Sequence, residues 1–480
     1  MTNRSSTLAP APARVTRIEP GGIEAIPTPF RHGSPWQLAA TWTAPNLEFA
    51  TIFVGVIAVA FFGLGFWQAM AALVLGNLAG ALTQGVLSTW GPRDGLAQMV
   101  LSRTAFGYRG NILPAALNTV MAGLGWFAVN SVSGALALTT LTGMPVVLSL
   151  VIIVVVEVGV AFVGHDLVQL FERYSTLVLG AIFLVATVTI FTQADIGGPV
   201  EGGGFSVGGF TLAAGAAFGY AAGWNPYASD YSRYLAAHTE KRTIGLAAGL
   251  GNLVSCTVLM AAGAAAATVA GFDAGSPTDS FVAPMPEFIA DITLIAIAVG
   301  AIAANALNIY SGAMSFLAAG IRIPFALRRA IVALGFGIIG FFIALAAIPD
   351  AGHTYEAFLL VIAYWIAPWL GVVLTDRYLR RGTEVSSLVS DRTKYRNPAG
   401  VRAFLIGLIV SVALFSNQEF FVGLVVRSAP DVGDLTAVVG LVVAAVAYLV
   451  LFRALKPALG ETLRDTESVA VGVDAADRDA

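Results

Sequence analysis

An aromatic side chain and a carboxamide lie four residues apart in one apolar stretch of the chain, at Trp126 and Asn130. Residues with this spacing share one face of an α-helix. An indole offers a flat surface for stacking, and a carboxamide offers both a donor and an acceptor to the edge of a ring. Stacking a base on an aromatic side chain contributes about 1–3 kcal/mol. The pair predicts a site for a small planar ring; the alternative is a packing tryptophan beside an asparagine that bonds a neighbouring helix.

A second apolar stretch carries two more carboxamides, Asn305 and Asn308. They are three residues apart, so they also share one face of a helix. Their neighbours are Ala, Ile and Leu, and amide groups in such a membrane helix need partners or water. Each of the two is therefore either a ligand contact or a residue that holds two helices together.

Three aromatic residues, Phe218, Tyr220 and Trp224, precede Pro226 in a glycine-rich apolar stretch. Proline removes a backbone donor and clashes with the preceding turn, so we expect the helix to break here. Tyr220 and Trp224 are four residues apart, and either or both could stack on the ring; Phe218 is a ligand contact or a packing residue. Main-chain amides at the break, such as that of Gly219, are expected to bond a ring carbonyl.

Two carboxyl groups within apolar stretches are candidates for carrying a proton. Glu48 follows the dipeptide Pro45-Asn46, where a further helix break is expected, and Glu157 is the only charged residue between positions 110 and 164. Removal from water favours the neutral form of a carboxyl group. Glu48 is the first candidate and Glu157 the second. The alternative for Glu48 is that a neighbouring donor or water satisfies its charge.

The composition identifies the environment of these residues. Of 480 residues, 57% are hydrophobic and 11% are charged, against about 45–50% and about 25% in soluble domains. The mean hydropathy is +0.79. A water-soluble globule is excluded, because so little charge cannot cover its surface. The formal charge of -3 makes a nucleic-acid partner improbable, and the single cysteine, Cys256, excludes an internal disulfide.

Apolar stretches long enough to cross about 30 Å of hydrocarbon recur along the chain. Since backbone groups in lipid must be satisfied internally, we predict an all-α polytopic membrane protein. We expect twelve transmembrane helices, at 39–64, 66–90, 111–141, 144–165, 173–193, 208–235, 243–270, 283–318, 324–348, 354–377, 401–417 and 435–454.

The distribution of basic residues predicts the orientation of these spans. With twelve spans and a cytoplasmic N-terminus, 25 of the 26 lysines and arginines fall on the cytoplasmic side, and only Arg427 lies outside. This asymmetry is typical of inner-membrane proteins with both termini in the cytoplasm. The predicted organisation is a cytoplasmic tail at 1–38, a transporter domain at 39–455 and a second cytoplasmic tail at 456–480. No cleaved signal peptide is expected.

The two expected helix breaks lie in the first and sixth predicted spans. Interrupted helices at matching positions of two halves are typical of inverted-repeat transporters. We therefore predict a five-plus-five inverted repeat, with repeat one at about 39–193, repeat two at about 208–377 and two extra helices at about 401–455. No GxxxxGK[ST] motif, arginine array or TVGYG filter occurs, which disfavours ATP-driven transport, a voltage sensor and a potassium channel. No nucleophile–base or metal-ligand cluster suggests an enzyme.

Several segments together resemble the purine/cytosine permeases of the nucleobase:cation symporter family. They are GFWQAMAALVLGNLAGAL at 65–82, GPRDGLAQMVLSRTAFGYRG at 91–110, LGWFAVN at 124–130, GWNPYASDYSRY at 223–234 and ANALNIYSG at 304–312. The resemblance extends from about residue 17 to about residue 453. It implies the fold of the sodium/amino-acid symporters and the import of a nucleobase, cytosine or purine, with a cation.

The resemblance also implies roles for individual residues. Trp126 and Asn130 match the aromatic and amide pair that binds the ring in the family, and Asn305 matches an asparagine that contacts the edge of the heterocycle. The stacking aromatic of the sixth helix falls near Tyr220 or Trp224. No cofactor, metal or obligate protein partner is implied.

The coupling ion is expected to be a proton. Sodium-coupled relatives have two adjacent hydroxyl residues just before the amide of the eighth helix, where this chain has Ala303 and Ala304. Their absence removes two oxygen ligands, which favours H⁺ over Na⁺. The alternative substrates are uracil, allantoin, hydantoin, thiamine, a pyridoxine-like base or a nucleoside. A membrane receptor or sensor is a remote alternative, because no signalling domain is evident.

Overall fold

The computed structural model describes residues 22–161, 165–198, 205–321, 328–389 and 394–462. The first 21 residues of the predicted N-terminal tail and residues 463–480 of the predicted C-terminal tail lie outside the described residues. Parts of the fourth and ninth predicted spans, at 162–164 and 324–327, also lie outside them.

The described chain is α-helical almost throughout. Its helices are α1 (Pro35–Thr43), α2 (Phe49–Ala60), α3 (Phe66–Ser88), α4 (Gly91–Asp94), α5 (Gln98–Leu101), α6 (Arg103–Gly110), α7 (Ile112–Asn118), α8 (Trp126–Thr142), α9 (Val146–Ala161), α10 (His165–Phe191), α11 (Val207–Ala222), α12 (Ala228–Ser232), α13 (Lys241–Ala266), α14 (Pro277–Val282), α15 (Glu287–Ala318), α16 (Arg328–Ala347), α17 (Ala351–Leu379), α18 (Ser386–Val389), α19 (Pro398–Phe415), α20 (Leu424–Ser428) and α21 (Thr436–Leu455).

Short irregular helices connect several of these elements. A π-helix at Thr119–Gly125 joins α7 to α8, and 3₁₀ turns occupy Thr28–Phe30, Ala44–Asn46, Asn225–Tyr227, Ile348–Asp350 and Pro430–Val432. The named strands of the described residues form two antiparallel pairs of two residues each. They are β1 (Thr383–Glu384) with β4 (Glu461–Thr462), and β2 (Asn417–Gln418) with β3 (Phe421–Val422).

The all-α polytopic membrane fold is confirmed, whereas the number of twelve spans stays a prediction. By length and composition, eight helical segments of the described residues could cross a membrane, or nine if the bent pair α1 and α2 forms one span. One of the eight, Ile331–Leu379, runs through both α16 and α17. Observed boundaries differ from predicted ones by a few residues: α1 begins four residues before position 39, inside the predicted tail, and α14 ends before the eighth span begins.

The first predicted span is interrupted close to the expected place. The axes of Pro35–Asn46 and Phe49–Ala60 differ by 58°. Leu47 and Glu48 separate the two helices, and Glu48 is the extended N-cap residue of α2. The break packs closely against α15, because a Cβ on Gly300 would overlap Leu47 O. Glycine at this point therefore allows the main chain of the break to touch the eighth span.

The sixth predicted span is interrupted at the expected proline. Helix α11 ends at Ala222, and a 3₁₀ turn at Asn225–Tyr227 leads into the short helix α12. Gly223 ends α11 with its amide bonded to Gly219 O at 3.0 Å. Helix α11 packs against α3 and α17, so the broken span lies in the interior of the bundle. The two interruptions face each other, because Trp224 Nε1 donates to Asn46 Oδ1 at 2.9 Å.

A buried ion pair lies at the C-terminal end of α17. Arg380 Nε lies 2.7 Å from Asp376 Oδ1, and both side chains are buried. The same carboxylate accepts hydrogen bonds from Tyr448 Oη at 2.5 Å and Thr104 Oγ1 at 2.6 Å. Because its neighbours donate to both oxygens, this carboxylate is paired and hydrogen-bonded, as a buried charge must be. The cluster joins α6, α17 and α21 on one side of the bundle.

At the N-terminal end of α21, Asp434 anchors the turn that precedes this helix. Its carboxylate accepts hydrogen bonds from the main-chain amides of Asn417 at 2.9 Å and Thr436 at 2.8 Å, and also from the Tyr364 hydroxyl. Burial raises the pKa of the Asp434 carboxyl group, and these three donors oppose that increase. The β2–β3 hairpin is thereby held against α17.

Candidate functional site

The carboxyl group of Glu48 lies at the first helix break and is buried. Its Oε2 accepts a hydrogen bond from the amide of Ala50 at 3.0 Å, which caps the N-terminus of α2. Its Oε1 lies 3.3 Å from the hydroxyl of Tyr220 on α11. A helix N-terminus and a hydroxyl group can both stabilise a negative charge. Glu48 therefore connects the two interrupted spans of the bundle.

Tyr220 belongs to two sets of contacts at once. Its hydroxyl contacts Thr51 Oγ1 as well as Glu48. Its ring lies 5.1 Å from the Trp126 ring, centroid to centroid, at an interplanar angle of 84°. Tyr220 is thus perpendicular to the predicted stacking platform and touches the predicted proton carrier at its other end.

Trp126 is surrounded by aromatic rings on several sides. Besides Tyr220, Phe358 lies 5.2 Å away at 81° and Tyr355 lies 6.1 Å away at 70°. A Cβ on Gly223 would lie 3.0 Å from Trp126 Nε1, so the end of α11 runs directly beside the indole. The predicted platform consequently faces the break in the sixth span, which was the arrangement expected from the sequence.

Trp224 bonds the first break directly. Its Nε1 donates to Asn46 Oδ1 at 2.9 Å, and Asn46 Nδ2 in turn donates to Ser255 Oγ at 3.0 Å on α13. The Trp224 ring also packs on Trp42 and Tyr227. These contacts give Trp224 a clear role in joining the two breaks. Stacking of Trp224 or Tyr220 on a ligand stays a prediction.

The three predicted carboxamides form one connected cluster. Asn305 Oδ1 accepts hydrogen bonds from Asn130 Nδ2 and from Asn308 Nδ2, each at 3.1 Å. Asn305 Nδ2 donates to Phe127 O at 3.0 Å and to Ser131 Oγ at 3.2 Å. All three asparagines are buried. The face of α8 that carries Asn130 and the face of α15 that carries Asn305 therefore meet.

Two carbonyl oxygens of this cluster remain available. Neither Asn130 Oδ1 nor Asn308 Oδ1 accepts a hydrogen bond from any residue that the structure describes. A buried amide oxygen without a donor costs about 1–3 kcal/mol, so a partner for each is favourable. A ring that presents N–H groups along its edge would supply such partners. The Asn305 side chain, by contrast, is already fully engaged with protein groups.

Glu157 joins this amide cluster from α9. Its Oε2 accepts a hydrogen bond from Ser131 Oγ at 2.7 Å, and Ser131 also accepts from Asn305 Nδ2. Glu157 is fully buried. The second proton-carrier candidate thus lies beside the amide cluster, whereas Glu48 lies beside Tyr220. A role of either carboxyl group in coupling stays a prediction.

Gly219 and Phe218, two predicted ligand contacts of the sixth span, both pack against other parts of the protein. Gly219 lies inside α11, before the break, and a Cβ there would overlap Leu359 O of α17. The glycine therefore allows two helices to approach closely, which accounts for it without a ligand. Phe218 is a buried member of the main apolar core. Ligand contacts by Gly219 and Phe218 stay predictions.

The face of the eighth span that meets the first break has no hydroxyl side chains over one turn. Gly300 contacts Leu47 and Glu48 of the break, and Ala304 lies one helical turn further along the same face. Ala303 and Ala304 are both buried. Glu48 places a carboxyl group at this junction, because its Cβ lies against Gly300. Among the described residues, no group of three or more His, Cys, Asp or Glu side chains could hold a metal ion.

A cavity of about 110 Å³ lies next to Trp126 along α2 and α8. Its lining is almost entirely apolar and includes Phe49, Phe53, Val132, Leu136, Tyr355 and Phe358. The cavity extends along the N-terminal half of α2, which begins directly after Glu48.

Sequence reasoning missed four residues that complete the site: Thr51, Ser131, Tyr355 and Asn46. Thr51 lies three residues after Glu48, and this spacing was an available signal. Tyr355 lies in an apolar stretch that contains no predicted site residue, so no local signal marks it. Ser131 directly follows Asn130, and a hydroxyl residue beside a predicted contact was an available signal. The sequence marks Asn46 as part of a helix break and gives no signal for the role of its side chain. Each acts through residues more than 20 positions away in the chain.

Comparison with known proteins places the chain among membrane permeases. The family model described as a permease for cytosine/purines, uracil, thiamine and allantoin matches residues 25–440. The putative purine-cytosine permease YxlA of Bacillus subtilis is 29% identical, over 91% of this chain and 96% of the relative. The purine-cytosine permease fcyB of Emericella nidulans is 29% identical, over 90% and 88% respectively.

Solved structures support the same fold. Mhp1, a nucleobase-cation-symport-1 family transporter in a closed conformation with bromovinylhydantoin bound, superposes with a TM-score of 0.73 at 20% identity. The superposition covers 91% of this chain and 96% of Mhp1. A hydantoin permease of Microbacterium maritypicum is 26% identical over 35% of this chain. The fold is thus that of an all-α polytopic transporter.

Proposed function

Because the chain belongs to the family of permeases for cytosine/purines, uracil, thiamine and allantoin, and is a membrane transporter and not an enzyme, we propose that it imports a nucleobase together with a proton. The substrate is cytosine, a purine or both. Transport proceeds by alternating access across the plasma (inner) membrane, with both termini in the cytoplasm. We also propose that the fold contains the five-plus-five inverted repeat that the sequence predicts.

The observation that carries the proposal is the pair of open amide oxygens beside an aromatic platform. Asn130 lies one helical turn from Trp126, and within the described chain neither its Oδ1 nor that of Asn308 has a donor. Cytosine and adenine both present an exocyclic amino group next to ring nitrogens, so their edges carry N–H donors. A planar ring stacked on Trp126 with this edge towards Asn130 would satisfy both requirements of the site.

A proton is the favoured coupling ion because the junction of the first and eighth spans offers a carboxyl group and no side-chain hydroxyls at 303 and 304. Glu48 lies at that junction, with its Cβ against Gly300. A buried carboxylate without a countercharge is costly, and a proton removes that charge. Exchange of this proton between the two sides of the membrane would then accompany substrate import.

The driving force is sufficient for accumulation. One positive charge that crosses a potential of about 100 mV gains about 2.3 kcal/mol. At about 1.4 kcal/mol per tenfold change, this gain supports roughly 50-fold accumulation before any pH gradient is added.

The test is uptake of labelled cytosine and labelled adenine into proteoliposomes that contain the purified protein. Each substrate is measured with and without an inward proton gradient, and with sodium or with an impermeant cation. Unlabelled uracil, allantoin, hydantoin, thiamine and pyridoxine serve as competitors. Accumulation that follows the proton gradient and is indifferent to sodium supports the proposal.

Two other outcomes would change the proposed coupling ion or the proposed substrate. Sodium-driven accumulation of cytosine or adenine would retain the nucleobase substrate and refute the inference from Ala303 and Ala304. Absence of uptake of both bases, together with binding of one competitor, would assign the transporter to that competitor's class. Liposomes without protein are the control for leakage.

A further inference from the structure

Two hydroxyl groups, those of Tyr220 and Thr51, connect Glu48 by hydrogen bonds to the main chain of the first helix break. The Tyr220 hydroxyl lies 3.3 Å from Glu48 Oε1 and also contacts Thr51 Oγ1. Thr51 Oγ1 donates to the main-chain oxygen of Asn46 at 2.6 Å. All of these side chains are buried, so their hydrogen bonds are made within the protein.

The number of hydrogen atoms on these hydroxyl groups determines which group donates each hydrogen bond. A hydroxyl group carries one hydrogen, and the hydrogen of Thr51 is used on Asn46 O. The contact between Thr51 and Tyr220 therefore requires Tyr220 as donor. With its only hydrogen used on Thr51, Tyr220 can bond Glu48 only by accepting a hydrogen from it. The observed arrangement thus matches a protonated Glu48.

Ionisation of Glu48 would change the acceptor to which the Tyr220 hydroxyl donates. A carboxylate only accepts hydrogen bonds, so Tyr220 would turn its hydrogen from Thr51 to Glu48. Hydrogen bonds to charged groups are about twice as strong as neutral ones. Tyr220 is consequently held more firmly by an ionised Glu48 than by a protonated one.

The position of the Tyr220 ring connects this difference to the substrate site. Its centroid lies 5.1 Å from that of Trp126. A planar ligand between two aromatic rings needs about 7 Å, because each stacked contact takes about 3.5 Å. A ring that stacks on Trp126 from this side can bind only after Tyr220 has moved, and that movement breaks the contact with Glu48.

The other titratable groups that face Glu48 come from four packed elements. They are Tyr220 from α11, Cys256 from α13, Tyr355 from α17 and Glu157 from α9. Tyr355 donates to Ala50 O at 3.0 Å, and Cys256 lies 3.1 Å from Asn252 Oδ1. Neither of these two is hydrogen-bonded to Glu48 in the described chain. Tyr220 is therefore the titratable neighbour that bonds Glu48 and also touches the predicted platform.

We propose that Tyr220 makes substrate binding depend on the proton at Glu48. With Glu48 ionised, the carboxylate holds the Tyr220 hydroxyl and the ring stays against Trp126. With Glu48 protonated, as in the observed arrangement, only weaker neutral hydrogen bonds hold the ring, so the heterocycle can displace it from Trp126. Tyr220 is a positioning residue in this scheme, and the proposal rests on the proposed proton-coupled import.

The test compares Tyr220→Phe with wild-type protein and with Tyr227→Phe. Tyr227 is a matched control, because it is a buried tyrosine of the same broken span whose hydroxyl bonds no described residue. Binding of labelled cytosine to the purified proteins is measured across a pH series. In wild-type protein and in Y227F, affinity should fall by about 10–100-fold from acidic to alkaline pH, as expected for one hydrogen bond to a charged group.

In Y220F the carboxylate can no longer hold the ring, so cytosine should bind with an affinity that varies little with pH. A wild-type pH profile in Y220F would overturn the proposal. A wild-type protein that binds cytosine equally well at every pH would overturn it as well and leave nucleobase import standing. Absence of cytosine binding to wild-type protein would instead refute the proposed substrate.

A second variant keeps the proposal testable if Y220F does not yield folded protein. Thr51→Val removes the acceptor that competes with Glu48 for the Tyr220 hydrogen. The ionised state should then hold Tyr220 over a wider pH range, and the midpoint of the wild-type binding profile should move down by about one pH unit, equivalent to one hydrogen bond. An unchanged midpoint in T51V would overturn the proposal.

Discussion

Replacement of Asn130 by alanine should weaken substrate binding strongly and stability only slightly. Asn130 makes one hydrogen bond to protein, from Nδ2 to Asn305 Oδ1 at 3.1 Å. Its Oδ1 has no donor among the described residues. The variant therefore loses one hydrogen bond, worth about 1 kcal/mol, and also removes an unsatisfied oxygen. These two changes oppose each other, so the free energy of unfolding should change little.

The cost to binding is larger, because a bound ring would lose the acceptor for one of its N–H groups. A buried donor left without a partner costs about 1–3 kcal/mol. At about 1.4 kcal/mol per tenfold, the Kd for cytosine should rise by about 5–150-fold. The measurement is equilibrium binding of labelled cytosine to the purified protein, together with thermal unfolding of the same samples.

Asn118→Ala is the matched control for this experiment. Asn118 is a buried asparagine of the same predicted span, its Nδ2 donates to Ser315 Oγ at 2.7 Å, and its Oδ1 likewise has no donor within the described chain. It lies twelve residues before Asn130, which is about 18 Å along a helix. N118A should therefore retain the wild-type Kd. Equal Kd values for N130A and wild type would refute the placement of Asn130 in the substrate site.

Three further changes test other parts of the structure. Glu48→Gln keeps the size of the side chain but cannot exchange a proton, so proton-driven accumulation of cytosine in proteoliposomes should fall to equilibration; accumulation equal to wild type would exclude Glu48 as the carrier. Trp126→Ala removes the platform, and loss of about 1–3 kcal/mol of stacking should raise the Kd for cytosine by about 5–150-fold; unchanged competition by all bases would argue against stacking there. Arg380→Ala leaves Asp376 buried without its partner at 2.7 Å, which should cost about 3–5 kcal/mol of stability; thermal unfolding measures it, and a transition temperature equal to wild type would show that the pair contributes nothing.

The amide cluster shows how far helical spacing alone can predict a site. The intervals between Trp126 and Asn130 and between Asn305 and Asn308 predict two polar faces, and both faces occur in the structure. The spacing says nothing about which residues of different helices meet. That Asn130 bonds Asn305, and that Ser131 connects this pair to Glu157, depends on how α8, α9 and α15 pack.

Tyr220 shows where prediction from the sequence ends. Its distance of four residues from Trp224 is consistent with two aromatics that line one pocket. In the structure, Trp224 bonds Asn46 and Tyr220 bonds Glu48 and Thr51, so the two residues have separate partners on the first span. These partners are about 170 positions away in the chain, and no local pattern can identify them.

The sequence by itself determined the membrane environment, the all-α class, the positions of the two helix breaks and the family. Each of these follows from local properties, since apolar length, proline and residue order act within one segment of the chain. Only the tertiary structure decided that the two breaks face each other, that Glu48 caps α2 beneath Tyr220, and that Gly219 serves helix packing. The physical reason is that hydrogen bonds and van der Waals contacts between helices depend on distances in space, which the order of residues does not contain.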